Sequence, residues 1–327
     1  MRRSILGLVT LLAGVCVAPT KASAWSEATH AYIADHTGKT SGFRNYNEIY
    51  GAMAPDTFNM SYALRADLPT LLCVRSYTHG ALPSDTGFLE FWEQASWWGL
   101  DRNAAFAYAF THNDVFGADY RAHWVDIHED APGYVVAKAM ALVEQIDATK
   151  DEAGLSVWDY LGLEPDYTRP LDDPANLIVH FMLERAGDLV IKREDPNIGM
   201  KMFLASLVRT ERFPDLMVDV MAGCSPLLSE DLIRASERQF RVQTMTYGLT
   251  LLLDEQEALA AVARQLSDSA PEFLAGFGGT YDPALQPLID QFVLGTLKLS
   301  LAAVEDDYMD QIDFIVDEVA ANAPGSY

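Results

Sequence analysis

Histidine and carboxylate side chains recur at helical spacing in this 327-residue chain, and every histidine lies within its first 180 residues. His180 and Glu184 are four residues apart, and so are Asp119 and His123. Residues four apart project from one face of a helix. Imidazole nitrogen together with carboxylate oxygen is a ligand set that zinc accepts in proteins. The two pairs therefore predict a metal site whose ligands are carried on helices.

The segment from Ala24 to His36, AWSEATHAYIADH, adds a ligand of a different kind. If the chain is cleaved before Trp25, the mature protein begins with a free tryptophan amine, and an amine with its own carbonyl can chelate a metal. His30 follows five residues later. We expect Trp25 and His30 to bind one metal ion together, in a site that forms only after cleavage. Since the amine and the imidazole bind metal only when unprotonated, the affinity should fall in acid.

Taken singly, these features have ordinary structural explanations. A histidine four residues from a glutamate is more often a surface pair or a capped core side chain, and Pro55-Asp56 is more often a turn. Ordinary roles are assigned to His36, His128, Asp114 and Asp188, and each of the two aspartates is a substitute ligand if the register of the motifs differs. The joint occurrence of Trp25, five well-placed histidines and three or four acids favours a shared metal site.

The elements that would position these side chains are helices. The segment DDPANLIVHFMLERAGDLVIKRED predicts a helix with Asp173 as N-cap and Pro174 at the first helical position, and a second helix follows Pro132-Gly133. Residues 227–268 and 283–322 each hold one long helix or two. Strand alternation is scarce and no Asn-Gly or Asp-Gly hairpin signal is present. The predicted fold class is all-α.

The distribution of the histidines divides the chain into two parts. We expect a single all-helical domain over residues 25–327, with a metal-binding core at 25–195 and a C-terminal helical extension at 196–327 that supports the core or faces the substrate. Within the core, the stretch from Tyr46 to Pro83 shows weaker helical periodicity, so we expect ligand-bearing loops there.

The first residues, MRRSILGLVTLLAGVCVAPTKASA, have the features of a secretory signal peptide over residues 1–24. Arg2 and Arg3 form a positive start, the apolar run is too short for an ordinary membrane span, and small residues precede position 25. Lipidation at Cys16 is disfavoured because Val15 stands where a small residue is expected. No later segment stays apolar and uncharged for about 18 residues. We therefore predict an exported protein, periplasmic or secreted, with no transmembrane anchor after cleavage.

The chain is strongly acidic. Its formal net charge of −24 becomes −27 once the three basic residues of the signal peptide are removed. Nucleic acids bind to basic surfaces, so no nucleic-acid partner is expected. The mature chain keeps two cysteines, Cys73 and Cys224. Either a disulfide between them or two buried thiols fits the sequence.

Together the motifs resemble the zinc-dependent phospholipase C family, which shares its fold with the S1/P1-type nucleases. The resemblance runs from Trp25 to Glu184 and is carried by WSEATHAYIA, YGAMAPD, YTHG and HFMLE. It implies a multi-helix bundle of the phospholipase C/P1 nuclease type with extra C-terminal helices, and a cluster of three zinc ions. The metal ligands that it implies are Trp25, His30, Asp56, His79, His112, Asp119, His123, His180 and Glu184.

The middle motif departs from the family pattern, in which an aspartate follows a histidine by four residues. Four residues after His112 this chain has Phe116, which cannot bind zinc. Asp119 is our candidate for the bridging aspartate, and Asp114 is the alternative. On a straight helix the step of seven residues from His112 to Asp119 spans roughly 10 Å, so we expect an extra turn or a bend of the backbone at Gly117.

The function that the resemblance implies is hydrolysis of the head-group phosphodiester of a phospholipid at a membrane or micelle surface. Asp56 would act as a metal ligand or help to position or deprotonate the attacking water. One alternative is a nuclease or 3′-nucleotidase on the same trinuclear zinc core, against which the charge of −27 counts. Another is a non-catalytic exported zinc-binding helical protein.

Overall fold

The computed structural model describes residues 26–38, 40–59, 67–80, 85–95, 99–168, 170–171, 173–276 and 281–322. Side chains at positions 274–276 are outside this description. Helix makes up 73% of the structure, and the described residues contain no strand. The predicted all-α class is therefore confirmed. The expected signal peptide and Trp25 lie outside the described residues.

The α-helices of the described residues number sixteen. They are α1 Glu27–Thr37, α2 Phe43–Met53, α3 Leu68–Thr78, α4 Glu90–Gln94, α5 Leu100–Thr111, α6 Ala118–His123, α7 Tyr134–Ala148, α8 Val157–Leu161, α9 Pro174–Glu194, α10 Ile198–Val208, α11 Phe213–Met221, α12 Glu230–Thr250, α13 Glu255–Asp268, α14 Ala270–Gly276, α15 Gln286–Val304 and α16 Tyr308–Asn322. Short 3₁₀ helices cover Ala54–Phe58, Gly87–Leu89 and Pro283–Leu285.

The helix signals of the sequence correspond to real boundaries. Asp173 caps α9, since its carboxylate accepts the backbone N–H of Asn176 at 2.8 Å, and Pro174 follows as the first helical residue. Each of the two long C-terminal segments contains two helices. The first breaks between Thr250 and Glu255, where the Asp254 side chain caps α13.

The expectation of loops between Tyr46 and Pro83 is wrong for most of that stretch. It is occupied mainly by α2, the 3₁₀ helix at Ala54–Phe58 and α3. Residues 47–53 of α2 are all buried, including the polar side chains of Asn47 and Glu48. Gly51 permits this burial, because a Cβ at that position would lie 2.0 Å from the carbonyl oxygen of Ala104 in α5.

Helix α9 is the element around which the others are arranged. It packs against α1, α7, α13, α15 and α16. Helices of the C-terminal extension also contact the core directly, with α10 against α2, α12 against Ala54–Phe58, and α16 against α1. The extension therefore covers the helices that carry the predicted metal ligands.

Residues Pro283–Val304 form a helix long and apolar enough to cross a membrane by length and composition, with a mean hydropathy of 1.3. The segment contains Asp290 and Lys298, so it is not free of charge. Its α15 portion packs against α9, α13 and α7. A helix packed in a soluble domain and a membrane-spanning helix both meet these criteria. In this structure α15 packs against other helices of the domain.

Cys73 and Cys224 form a disulfide, with their Cα atoms 6.0 Å apart and a sequence separation of 151. The first of the two sequence alternatives is therefore the one that the structure contains. Cys73 lies in α3, which leads to His79, and Cys224 follows α11. The bond ties the helix that precedes a predicted ligand to the C-terminal extension.

Candidate metal centre

The carboxylate of Asp119 lies between three histidines. Its Oδ1 is 3.3 Å from Nε2 of His30, and its Oδ2 is 3.3 Å from Nε2 of His112 and 3.7 Å from Nε2 of His79. Asp119 is fully buried, and neither of its oxygens has a hydrogen-bond partner among the described residues. Because each oxygen faces a different set of imidazoles, the arrangement suits a carboxylate that bridges two cations.

Asp56 approaches the same histidines from the other side. Its Oδ1 is 3.4 Å from Nε2 of His79 and 3.5 Å from Nε2 of His112. Two sets of ligand atoms thus converge within 4.8 Å, one from His30, His112 and Asp119 and one from Asp56, His79 and His112. These buried clusters could hold a metal ion.

His112 belongs to both sets but offers a single nitrogen to them. If that nitrogen serves the set with Asp56, then His30 and Asp119 need a further ligand for a second ion. The residue that the sequence proposes for this place is Trp25, which lies outside the described residues. Its neighbour Ser26 is buried at the start of α1.

The local structure fixes the orientation of two of these imidazoles. Nδ1 of His112 lies 2.8 Å from the carbonyl oxygen of Ala52, to which it donates. Nδ1 of His79 lies 2.7 Å from the hydroxyl of Thr78, which itself donates to the carbonyl of Val74 at 2.9 Å. With the proton on Nδ1, each ring presents the lone pair of Nε2 to the cluster, which is the tautomer that binds metal.

The expected bend between His112 and Asp119 is present. Helix α5 ends at Thr111, and the side chain of Asn113 accepts three backbone N–H groups, from residues 115, 116 and 117, at 2.9–3.1 Å. Gly117 allows the tight turn, because a Cβ there would lie 2.6 Å from the backbone nitrogen of Asn113. The backbone N–H of Asp119 then bonds to the carbonyl of His112 at 3.1 Å, which brings both side chains to one cluster.

The remaining predicted ligands, His123, His180 and Glu184, form a second group. Nε2 of His180 lies 3.1 Å from Oε1 of Glu184, and the rings of His123 and His180 are 5.4 Å apart. All three residues are buried. Within the described part of the chain, Nε2 of His123 and Oε1 of Glu184 have no hydrogen-bond partner. Buried polar atoms of this kind are rare in proteins, and an ion or an ordered water is among the partners that account for them.

Asp114 has a role that the sequence interpretation missed. Its Oδ1 is 2.6 Å from Nδ1 of His123, and its Oδ2 is 2.7 Å from Nη2 of Arg75. Asp114 therefore orients His123 and is not an isolated polar position. Arg75 was also missed. Arg75 lies four residues before His79, a spacing that places two side chains on one face of a helix. This spacing was the signal that could have placed Arg75 near the site.

The charges of the cluster are unbalanced without a cation. Burial, and then the negative charges of Asp114 and Asp56, raise the pKa of Asp119 well above its ordinary value. Burial and the charge of Asp56 likewise raise the pKa of Glu184. Burial lowers the pKa of His79 to about 4, so this ring is neutral at neutral pH. Several buried carboxylates beside a neutral imidazole fit a bound divalent metal, which would offset their repulsion.

A cavity of about 170 Å³ adjoins both groups of ligands, since Asp56 and Glu184 lie in its wall. Ser26, Glu27, Asn59 and Arg185 supply further polar atoms. The rest of the lining is mostly apolar and comes from α9 and the C-terminal extension: Ile178, Phe181, Met182, Phe240, Leu266, Phe273, Ile289, Phe292 and Val293. The extension thus forms one wall of a cavity at the candidate centre.

The two histidines that were given ordinary roles are exposed. His36 bonds through Nδ1 to the carbonyl of Tyr32 at 2.8 Å, and His128 lies in the turn that follows α6.

Comparison of the chain with family models, with curated proteins and with solved structures returns no match. The functional interpretation therefore depends on the sequence motifs and on the geometry of the centre.

Proposed function

We propose that this protein is a zinc-dependent phosphodiesterase of the phospholipase C type, with the fold of that family, which hydrolyses the head-group phosphodiester of phospholipids. The products would be diacylglycerol and a phosphorylated head group. The observation that carries the proposal is the buried Asp119 carboxylate among His30, His79 and His112, beside an apolar cavity.

The donor set fits zinc. Asp56, His79, His112 and Asp119 would hold one ion, and His123, His180 and Glu184 a second. His30 and Asp119 with the mature N-terminus at Trp25 would hold a third. When bound, zinc supplies positive charge that polarises a phosphoryl group and acidifies water. Because the third ion needs a free amine at Trp25, export and cleavage after Ala24 are part of the proposal.

Asp56 is the candidate for handling the proton of the attacking water. It lies in the wall of the cavity, and Asn59 donates a hydrogen bond to its Oδ1. Although burial favours the neutral acid, contacts with His112 and His79 lower the pKa of Asp56 well below its ordinary value, and a cation bound to the same imidazoles would act in the same direction. The carboxylate is therefore ionised at neutral pH, and it can accept a proton or bind a metal.

The apolar wall favours a lipid over a nucleotide. Phe181, Phe273 and Phe292 line the cavity within reach of the centre. Arg185, which also lines it, is already paired with the carboxylate of Glu27. A polynucleotide would need cations along its path, whereas the mature chain carries a charge of −27 once three basic residues are removed from the chain total of −24. An amphiphile with one phosphodiester matches an apolar wall beside a metal centre.

The test supplies purified mature protein with a short-chain phosphatidylcholine and with single-stranded DNA in parallel, and measures zinc per chain. We expect zinc and hydrolysis of the lipid. Asp56→Asn should lose hydrolysis, and His128→Asn, which changes an exposed histidine, should keep it. Hydrolysis of the DNA alone would establish the nuclease alternative. Zinc without activity on either substrate would indicate a non-catalytic zinc protein, and absence of zinc would refute the proposal.

A further inference from the structure

The first turn of α1 is held by a residue from another helix. The N-cap residue Ser26 makes no capping bond with its side chain. Instead, the backbone N–H of Thr29, in the first turn, donates to Oδ1 of Asp188 at 2.9 Å, and the Thr29 hydroxyl donates to the same oxygen at 3.0 Å. Asp188 thus provides from α9 the cap that α1 lacks.

Asp188 is itself fixed by contacts on every side. It is fully buried, and its Oδ2 accepts a hydrogen bond from the Tyr247 hydroxyl at 2.8 Å. The Tyr308 hydroxyl bonds to Thr29 at 2.7 Å, and it reaches this position because Gly187 has no side chain: a Cβ there would lie 2.2 Å from that hydroxyl. Residues of α9, α12 and α16 therefore converge on one turn of α1.

Arg185 adds a second attachment to the same turn. It bonds to the carboxylate of Glu27 and, at 2.5 Å, to the hydroxyl of Ser26. Its Nη1 lies 3.6 Å from Oδ2 of Asp188, so its positive charge offsets the buried carboxylate. The start of α1 is thereby attached to α9 at Ser26, Glu27 and Thr29.

His30 follows Thr29 directly. Its Nε2 is 3.3 Å from Oδ1 of Asp119, and its ring stacks on that of His112 with centroids 3.7 Å apart. The residue that precedes Ser26 is Trp25, the proposed amine ligand. Whatever fixes the first turn of α1 therefore fixes the proposed ligand His30.

We propose that Asp188 is a positioning residue: by holding Thr29 it places His30 at the metal centre. It is not itself a ligand, since its described contacts are with Thr29, Tyr247 and Arg185. The inference rests on the proposed metal centre. It assigns a further function, the attachment of α1, to the face of α9 that carries His180 and Glu184.

Zinc titration of metal-free mature protein tests the proposal, with the number of ions counted by native mass spectrometry. Asp188→Asn replaces one acceptor oxygen by an amide nitrogen, so it cannot accept from both Thr29 and Tyr247. We expect one zinc ion to bind about 10–100-fold more weakly, as for other outer residues that orient metal ligands, while the remaining ions keep their affinity. Thr29→Val, which removes the hydroxyl alone, should weaken the same ion by less.

Glu237→Gln is the matched control. Glu237 is a buried carboxylate that also pairs with a tyrosine and an arginine, Tyr50 and Arg209, neither of which is a proposed ligand. It should lower thermal stability and leave every zinc affinity unchanged. If Asp188→Asn does not fold, Thr29→Val decides. Wild-type affinities in the folded Asp188 and Thr29 variants would overturn the inference alone, whereas a wild-type protein that binds no zinc would overturn the proposed function as well.

Discussion

Asp119 and Glu237 are both buried carboxylates, with 0% and 1% of their surfaces exposed, yet their surroundings differ in kind. Glu237 accepts a hydrogen bond from Tyr50 at 2.7 Å and pairs with the guanidinium of Arg209. Asp119 has imidazole nitrogens at 3.3–3.7 Å and no hydrogen-bond partner among the described residues. A buried charge is stable only when it is compensated. Glu237 is compensated by the chain, whereas Asp119 lies in a cluster that could hold a metal ion.

The largest expected effect is that of Asp119→Asn. Since one carboxylate serves two ions, we expect the loss of more than one zinc ion per chain and of phosphodiester hydrolysis. Glu237→Gln should retain the wild-type metal content, which is measured by elemental analysis of dialysed protein. If the two variants hold equal zinc, the distinction between the two carboxylates is wrong.

A smaller loss, of one ion, is expected when a residue is inserted before Trp25. The insertion moves the free amine away from His30, while the second group at His180 and Glu184 is unaffected. The protein should stay folded by circular dichroism and bind one ion fewer. N-terminal sequencing of the exported protein is the necessary companion measurement, because a first residue other than Trp25 would exclude amine ligation by Trp25.

Asp114→Asn should weaken metal binding without abolishing it. The variant keeps a side-chain oxygen for Nδ1 of His123 but loses the charge that stabilises that contact and the pair with Arg75. A 10–100-fold loss of affinity for one ion is expected, as for other residues that orient a metal-binding histidine. Measured by competition with a chromophoric chelator, an effect as large as that of Asp119→Asn would show that Asp114 is the bridging carboxylate.

The smallest effect concerns the stability of the metal-free protein. A carboxyl whose pKa is raised on folding contributes stability that is present below the ordinary carboxyl pKa, about 4, and is lost as the pH rises through the folded-state pKa. The pKa of Asp119 is raised by burial and by neighbouring acids. With a chelator present, Asp119→Asn should therefore unfold at a higher temperature than the wild type at pH 8, and by a smaller margin at pH 5.

Zinc should reverse this order, since the wild type alone then has its charges compensated. Glu237→Gln should be less stable than the wild type with and without zinc, because it breaks a pair that the chain itself provides. Thermal unfolding followed by circular dichroism measures both comparisons. An Asp119→Asn variant that is less stable than the wild type in chelator at pH 8 would indicate that Asp119 is a structural group like Glu237.

The sequence by itself determined the all-helical class and the cap of α9 at Asp173. It also determined that His180 and Glu184 share a helix face, and the structure places their side-chain atoms 3.1 Å apart. These features follow from local chain geometry, because helical spacing decides which neighbours meet. The sequence interpretation failed at α2, where a helix whose residues 47–53 are all buried was taken for a loop.

Only the tertiary structure decided how the distant parts meet. Asp119 reaches His30 and His79 because the loop at Asn113 and Gly117 turns the chain back and because α1, α3 and α5 pack around it. Asp114 meets His123 and Arg75 in the same way, and Asp188 meets Thr29 across 159 residues. No local pattern encodes such pairs, since the contact between Asp188 and Thr29, for example, arises from the packing of helices that are far apart in sequence.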